Sequence, residues 1–234
     1  MQLKAAGARL KRVLPHLQKK YPWIPREGDL PQLEELVLTL LAYDGSWKQG
    51  IRALSAFQEQ YVDWNEVRVS SPDEMAEIVE IGKLPKVKDK AEALVKILDR
   101  VFLDHNRIAL AFGPDQGEDA KKYLTGIREL ASIARGVFLY RCFKYPKAIA
   151  EAGVTRLLRR LELVPQSAND EVAQRFLDKV TTGNSLAPTW FALARHAEET
   201  CVGDTPDCPH CAVQADCPLG QKVKAAKGRK PAEQ

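Results

Sequence analysis

Apolar side chains recur along this chain at intervals of three and four residues, the spacing of one face of an α-helix. Leu33, Leu36, Val37, Leu40 and Leu41 make one such face, and Ile51, Leu54, Phe57 and Tyr61 make the next. A longer stripe runs through Ala91, Leu94, Val95, Leu98, Val101 and Phe102 toward His105. Further on come Leu130, Ile133, Ala134, Val137 and Phe138, then Val154, Leu157, Leu158 and Leu161, then Val172, Phe176 and Val180. Alternation at period two is confined to Val67-Arg68-Val69 and is too short to outweigh the helical pattern. It stops at Ser71-Pro72-Asp73-Glu74, where a serine cap, a proline in the first turn and a glutamate three residues on predict a helix start. Breaks fall at Gly45-Ser46, Gly82 to Pro85, Gly113-Pro114, Thr125-Gly126, Tyr145-Pro146 and Pro165 to Ala168. The pattern predicts an all-α fold without long linkers. Past Cys217 the period is lost, and Lys222, Lys224, Lys227, Arg229 and Lys230 lie among small residues, so residues 220–234 are expected to form a disordered basic tail.

Length and composition add bounds rather than detail. The 234 residues allow one large or two modest domains, and 45% hydrophobic with 28% charged residues is ordinary globular material. The longest apolar run, around Leu36 to Ala42, falls short of the roughly 18 residues of a membrane span, so no membrane association is expected. Lys4, Arg9, Lys11 and Arg12 interrupt the region where a signal peptide needs an apolar segment, which predicts a cytoplasmic protein. A net charge of +4 is compatible with nucleic acid without requiring it.

The cysteines change the picture. Cys142 stands alone, but Cys201, Cys208, Cys211 and Cys217 follow one another at spacings of six, two and five residues. In a reducing compartment such a cluster reads as a metal or iron-sulfur site rather than as disulfides. Four thiolates from one short loop can close a tetrahedral shell around zinc or hold the corners of a cubane cluster. A second candidate lies upstream, where Glu118 to Arg141 reads as helix, glycine-containing turn, helix. Such a turn lets backbone N–H groups and the positive end of the following helix approach a phosphate without reading bases.

The spacing of six, two and five residues near the C-terminus resembles the cluster loop of the endonuclease III-like helix-hairpin-helix DNA glycosylases. The resemblance extends over roughly Leu33 to Leu219: Leu36 to Ala42 is similar to the early core helix, Lys88-Asp89-Lys90-Ala91-Glu92-Ala93-Leu94 to the segment following a glycine-containing turn, and Leu124-Thr125-Gly126-Ile127 to the hairpin. It implies two all-α lobes with DNA and a base pocket between them, the cluster lobe being built from both chain ends. In these terms residues 1–30 are an N-terminal basic helix on the cluster lobe, 31–199 the helical core with its hairpin at about 118–141, and 200–219 the cluster loop.

The same resemblance implies a [4Fe-4S] cluster on Cys201, Cys208, Cys211 and Cys217, with zinc as the alternative and Cys142 left out. The implied partner is double-stranded DNA, met by a monomer through Thr125, Gly126, Ile127 and Arg128 of the hairpin. Arg128 stands where the family has a second glycine and offers a phosphate contact of its own. Tyr43, in the stretch Ala42-Tyr43-Asp44, stands where the family fills the gap left by a flipped base, and is equally plausible as core. Bifunctional members carry a nucleophilic lysine early in the second hairpin helix, and here that position is Leu130. The family's aspartate after the hairpin is matched in charge by Glu151, at the cost of about three extra residues. A solvated glutamate in a helix's first turn is the plain reading of the same residue. Arg156, Arg159 and Arg160 read as surface residues or as a backbone-contacting face, and His196 and His210 as bystanders. The implied function is base excision by a monofunctional glycosylase without Schiff-base chemistry. The alternatives are a catalytically degenerate DNA- or lesion-binding protein and a zinc-stabilised helical interaction protein.

Overall fold

The computed structural model describes residues 3–23 and 30–228, and among these it holds twelve α-helices, two short 3-10 turns and no strand. No helix among the described residues is long and apolar enough to cross a membrane. The chain divides into two compact units, one spanning Arg26–Tyr145 and the other combining the N-terminal segment with Pro146 onward. One boundary between the units falls at Tyr145-Pro146.

In the Arg26–Tyr145 unit, α2 (Gln32–Ala42) buries its whole leucine stripe and packs against α3 (Trp47–Gln60), α6 (Val87–His105) and α8 (Ser132–Phe143). Ser46 and Gln49 cap α3 reciprocally, the Ser46 hydroxyl accepting from the Gln49 N–H and the Gln49 side chain accepting from the Ser46 N–H. Leu54 and Phe57 are buried as the spacing predicts, but Ile51 is exposed and Tyr61 ends the helix. The buried face is centred on Gly50, where a Cβ would lie 2.7 Å from the Ala42 Cβ, and Ile51 is turned by about 100° from that contact. Val67-Arg68-Val69 lies inside α4 (Trp64–Val69), because Asp63 caps two N–H groups, those of Asn65 and Glu66, at 2.9 Å each. The predicted start at Ser71 is present as a full capping box opening α5 (Pro72–Ile81). The unit is completed by α7 (Gly117–Thr125), which packs on α8.

The other unit contains α1 (Leu3–Lys20), α9 (Ala152–Arg160), α10 (Asp170–Val180), α11 (Leu186–Glu199) and α12 (Pro218–Gly228). Here α11 packs on α1 and α9. Lys20 Nζ donates to the Thr200 hydroxyl at 3.0 Å, and the Tyr21 hydroxyl meets the same oxygen at 2.9 Å. The expected disorder from residue 220 is corrected as far as Gly228, since Pro218 opens α12 and the Gln221 N–H bonds back to the Cys217 carbonyl at 2.9 Å. Residues 229–234 of that expected tail, and residues 1–2 and 24–29 of the N-terminal segment, lie outside the described residues.

Candidate functional site

The cysteine loop is shaped by backbone bonds before any side chain acts. At the end of α11 the N–H groups of Thr200 and Cys201 both donate to the His196 carbonyl, at 3.1 and 2.8 Å, and turn the chain. Asp207 N–H returns to the Thr200 carbonyl at 2.9 Å, Cys208–His210 forms a 3-10 turn, and Cys217 N–H bonds to Val213 at 3.0 Å. Gly220 then passes so close to the loop that a Cβ would sit 2.7 Å from the Gln214 carbonyl oxygen. The outcome is that Cys201, Cys208, Cys211 and Cys217, with Leu157, Leu161, Val213 and Leu219, line one small pocket.

Burial pushes the Cys208, Cys211 and Cys217 thiols up from their ordinary values, and the neighbouring thiols push each further. Three such thiols ionise together only if a cationic centre compensates them. Among the described residues, no three His, Cys, Asp or Glu side chains close up as the shell of a single ion. The chemistry of the donor set, four cysteines around one pocket, suits an all-thiolate group.

Arg156, Arg159 and Arg160 do not form the outward-facing surface expected from sequence. Arg156 donates from Nε to the Cys201 carbonyl at 3.2 Å and from Nη2 to the Ala197 carbonyl at 2.9 Å. Arg160 donates from Nη1 to the Cys201 carbonyl at 3.0 Å and to the Cys201 sulfur at 3.3 Å, and from Nη2 to the Gly203 carbonyl. Arg159 binds the Ala168 carbonyl. One face of α9 thus ties down the loop with guanidinium groups, whose planar forks suit paired carbonyl acceptors. His210 is exposed and pairs with Asp207 at 2.9 Å, as a bystander would. His196 is fully buried, with Nε2 3.5 Å from the Cys211 sulfur.

The hairpin consists of α7 and α8 joined by residues 126–131. Its N–H groups are less available than the glycine suggested: Gly126 donates to Tyr123 at 3.0 Å, Ile127 to Leu124 at 3.2 Å and Leu130 to Ile127 at 3.3 Å. Gly126 is in ordinary right-handed conformation, and Arg128 is not among the residues with positive φ, so the missing second glycine does not distort the turn. Ile127 points into the core, whereas Thr125 and Arg128 are exposed, Thr125 donating its hydroxyl to the Lys121 carbonyl at 2.7 Å. Arg128 therefore presents a cation outward from the turn itself. Leu130 is also corrected: it lies in the turn before α8 and is buried there, not in the second helix. No register of the hairpin restores a lysine, because α8 contains none from Ser132 to Phe143. A buried ion pair, Arg141 Nε to Glu35 Oε1 at 3.5 Å, ties α8 to α2, with the guanidinium 4.1 Å from the Trp47 ring centre.

Tyr43 ends α2 and is half-buried, with the Lys90 ammonium 4.2 Å over its ring. The Asp44 side chain is mostly buried. Its Oδ1 accepts from Lys90 Nζ at 2.6 Å, and Lys86 lies 3.6 Å from Oδ2.

In the other unit, Glu151 is the N-cap residue of α9, half-buried, its carbonyl accepting from the Thr155 N–H at 2.9 Å. Its carboxylate thus belongs to the positive end of that helix. The segment leading to it is strung between side chains of α10 and α11. Asp178 accepts from the Ala148 N–H at 3.2 Å, Gln174 accepts from the Ala150 N–H at 3.1 Å and donates to the Ala148 carbonyl, and Trp190 Nε1 donates to the Ile149 carbonyl at 2.7 Å. Asp178 and Gln174 carry no sequence signal beyond being polar on an otherwise helical pattern, and Trp190 reads as a core aromatic.

This all-helical arrangement is similar in fold to solved structures of endonuclease III and of a thymine-DNA glycosylase. A non-covalent endonuclease III–DNA complex superposes on 94% of this chain and 98% of its own with a TM-score of 0.59 at 16% identity. A trapped endonuclease III–DNA covalent intermediate covers 93% of this chain and 98% of its own, with a TM-score of 0.58 at 16% identity. A thermostable thymine-DNA glycosylase covers 93% and 99%, with a TM-score of 0.54 at 13% identity. At these identities the likeness is one of fold. No family model matches the sequence, and no curated protein matches it.

Proposed function

We propose that this chain is a double-stranded DNA-binding base-excision protein, a monofunctional glycosylase that hydrolyses the N-glycosidic bond of a damaged or mispaired base. The observation that carries the reading is the shared fold with two kinds of DNA glycosylase over more than nine-tenths of each chain. In this reading Glu151 stabilises the positive charge that develops on the sugar as the base leaves, or orients the attacking water. Gln174, Asp178 and Trp190 act as positioning residues that hold the backbone on which Glu151 sits, and a displacement of about an ångström there lowers the rate about 100-fold. Arg128 contacts phosphate, and Tyr43 wedges or stacks where the base is flipped. The absence of lysine from α8 supports hydrolysis without a Schiff base, since no amine is available there to attack the sugar.

The four cysteines would hold a [4Fe-4S] cluster, which supplies a cross-link that orders a loop poor in apolar residues. Arg156 and Arg160 hold that loop from α9 by its carbonyls.

A panel of duplexes carrying defined lesions and mismatches tests the reading, with base release scored after hot alkali and borohydride added in parallel. The expected result is base release from at least one duplex with no covalent complex trapped. Glu151→Gln should abolish release and leave DNA affinity equal or higher. Binding without release across the whole panel would replace the enzyme with a lesion-binding protein, and a borohydride-trapped complex would refute the monofunctional assignment.

A further inference from the structure

His196 is an expensive residue to keep where it stands. It lies on α11 five residues before Cys201, and only 1% of its surface is exposed. The imidazole packs against the Tyr21 ring at a centroid distance of 5.9 Å. Its Nδ1 is buried and meets no hydrogen-bond partner among the described residues. Its Nε2 lies 3.5 Å from the Cys211 sulfur, within hydrogen-bonding reach of so large an acceptor. A purely packing role would be better served by an apolar ring, which leaves no polar atom stranded.

The stranded atom fixes the tautomer. With the proton on Nδ1, the protein would bury an unsatisfied donor and point a lone pair at the sulfur. With the proton on Nε2, the donor is used on Cys211 and the unmatched atom is an acceptor, the less costly of the two to leave bare. The proton of a neutral imidazole therefore belongs on the nitrogen that faces Cys211.

We propose that His196 donates its Nε2–H to the Cys211 sulfur and so sets the reduction potential of a [4Fe-4S] cluster held by the four cysteines. The inference rests on the cluster reading given above. A hydrogen bond to a ligating sulfur withdraws electron density from the centre and favours its more reduced form, so the donor raises the potential of the one-electron couple. His196 is a positioning and tuning residue here and makes no contact with DNA or base in this account. Arg160, at the end of α9, is the complementary donor, at the Cys201 sulfur. The two differ in kind: Arg160 also holds two carbonyls, so its removal perturbs the loop, whereas the His196 ring gives its hydrogen bond to the sulfur and holds no backbone carbonyl, so its loss leaves the backbone ties intact.

The test uses the full chain purified without oxygen, with iron and sulfide measured first. Wild-type protein with zinc and no iron overturns this inference together with the cluster reading. With the cluster present, the midpoint potential is measured by electrochemistry for wild type, His196→Phe and His196→Gln. The phenylalanine keeps the ring volume without a donor and should move the potential to more negative values. The glutamine places an amide N–H near the original Nε2 and should restore most of the shift. A phenylalanine variant with full iron content and wild-type potential, or equal shifts in both variants, overturns the proposal while leaving the cluster reading intact. Should the phenylalanine variant fail to fold, wild-type protein with 15N-labelled histidine decides the matter: the paramagnetic state should show coupling to a histidine nitrogen and to an exchangeable proton, and their absence refutes the bond.

Discussion

Lys90 offers the sharpest test of the electrostatics in the hairpin-bearing unit. Its side chain is 2% exposed, and its ammonium lies 2.6 Å from Asp44 Oδ1, 3.1 Å from the Leu40 carbonyl oxygen and 4.2 Å from the centre of the Tyr43 ring. Lys90→Met keeps the length of the side chain and removes the charge, leaving the Asp44 carboxylate, itself only 13% exposed, without its main partner. Breaking a buried pair from one side costs about 3–5 kcal/mol. Lys86 offers partial relief from 3.6 Å, but its side chain is 59% exposed, and such pairs return at most about 1 kcal/mol. The single variant should therefore lose about 3 kcal/mol. Asp44→Leu should lose a similar amount by stranding the ammonium. The double variant should recover to within about 1 kcal/mol of wild type, because replacing both partners by apolar groups removes the uncompensated charge. Urea denaturation followed by tryptophan fluorescence measures all three, Trp47 and Trp64 reporting from the same unit. A Lys90→Met variant that loses less than about 1 kcal/mol would show that the ammonium is solvated. A double variant as unstable as the sum of the singles would show that the two charges do not interact.

Other outcomes follow from the cysteine loop, the hairpin and the caps. Serine at any of Cys201, Cys208, Cys211 or Cys217 should lower the iron content of anaerobically purified protein, while Cys142→Ala, in the other unit, should leave it unchanged. Arg128→Glu should weaken binding to every duplex by a similar factor and flatten the salt dependence by about one unit of slope per lost phosphate contact, measured by fluorescence anisotropy across a salt series. An effect on only one sequence would contradict a phosphate contact. Ser71→Ala should remove the capping box at α5 and cost about 1 kcal/mol in thermal denaturation, with DNA affinity unchanged.

The sequence by itself determined what depends on neighbours along the chain. A helix face repeats every three or four residues whatever it packs against, so the stripes from Leu33 to Val180 were readable. Caps act within one turn, so the start at Ser71 was visible in four letters, and the six, two and five spacing bounded the cysteines to one compact centre. Tertiary structure decided everything whose partner lies far along the chain. Whether Arg160 faces solvent or a carbonyl depends on Cys201, 41 residues on, and whether Asp44 repels phosphate depends on Lys90, 46 residues on. Ile51 has the right period for burial, yet the close approach at Gly50 chose a face that leaves it out. The hairpin shows the same division within a few residues: its helix-turn-helix order is local, but the N–H groups of Gly126 and Ile127 are already spent, and only the path of the folded backbone reveals it. Period and spacing are properties of one segment, whereas charge compensation and hydrogen-bond satisfaction belong to pairs, and pairs form only when the chain has closed on itself.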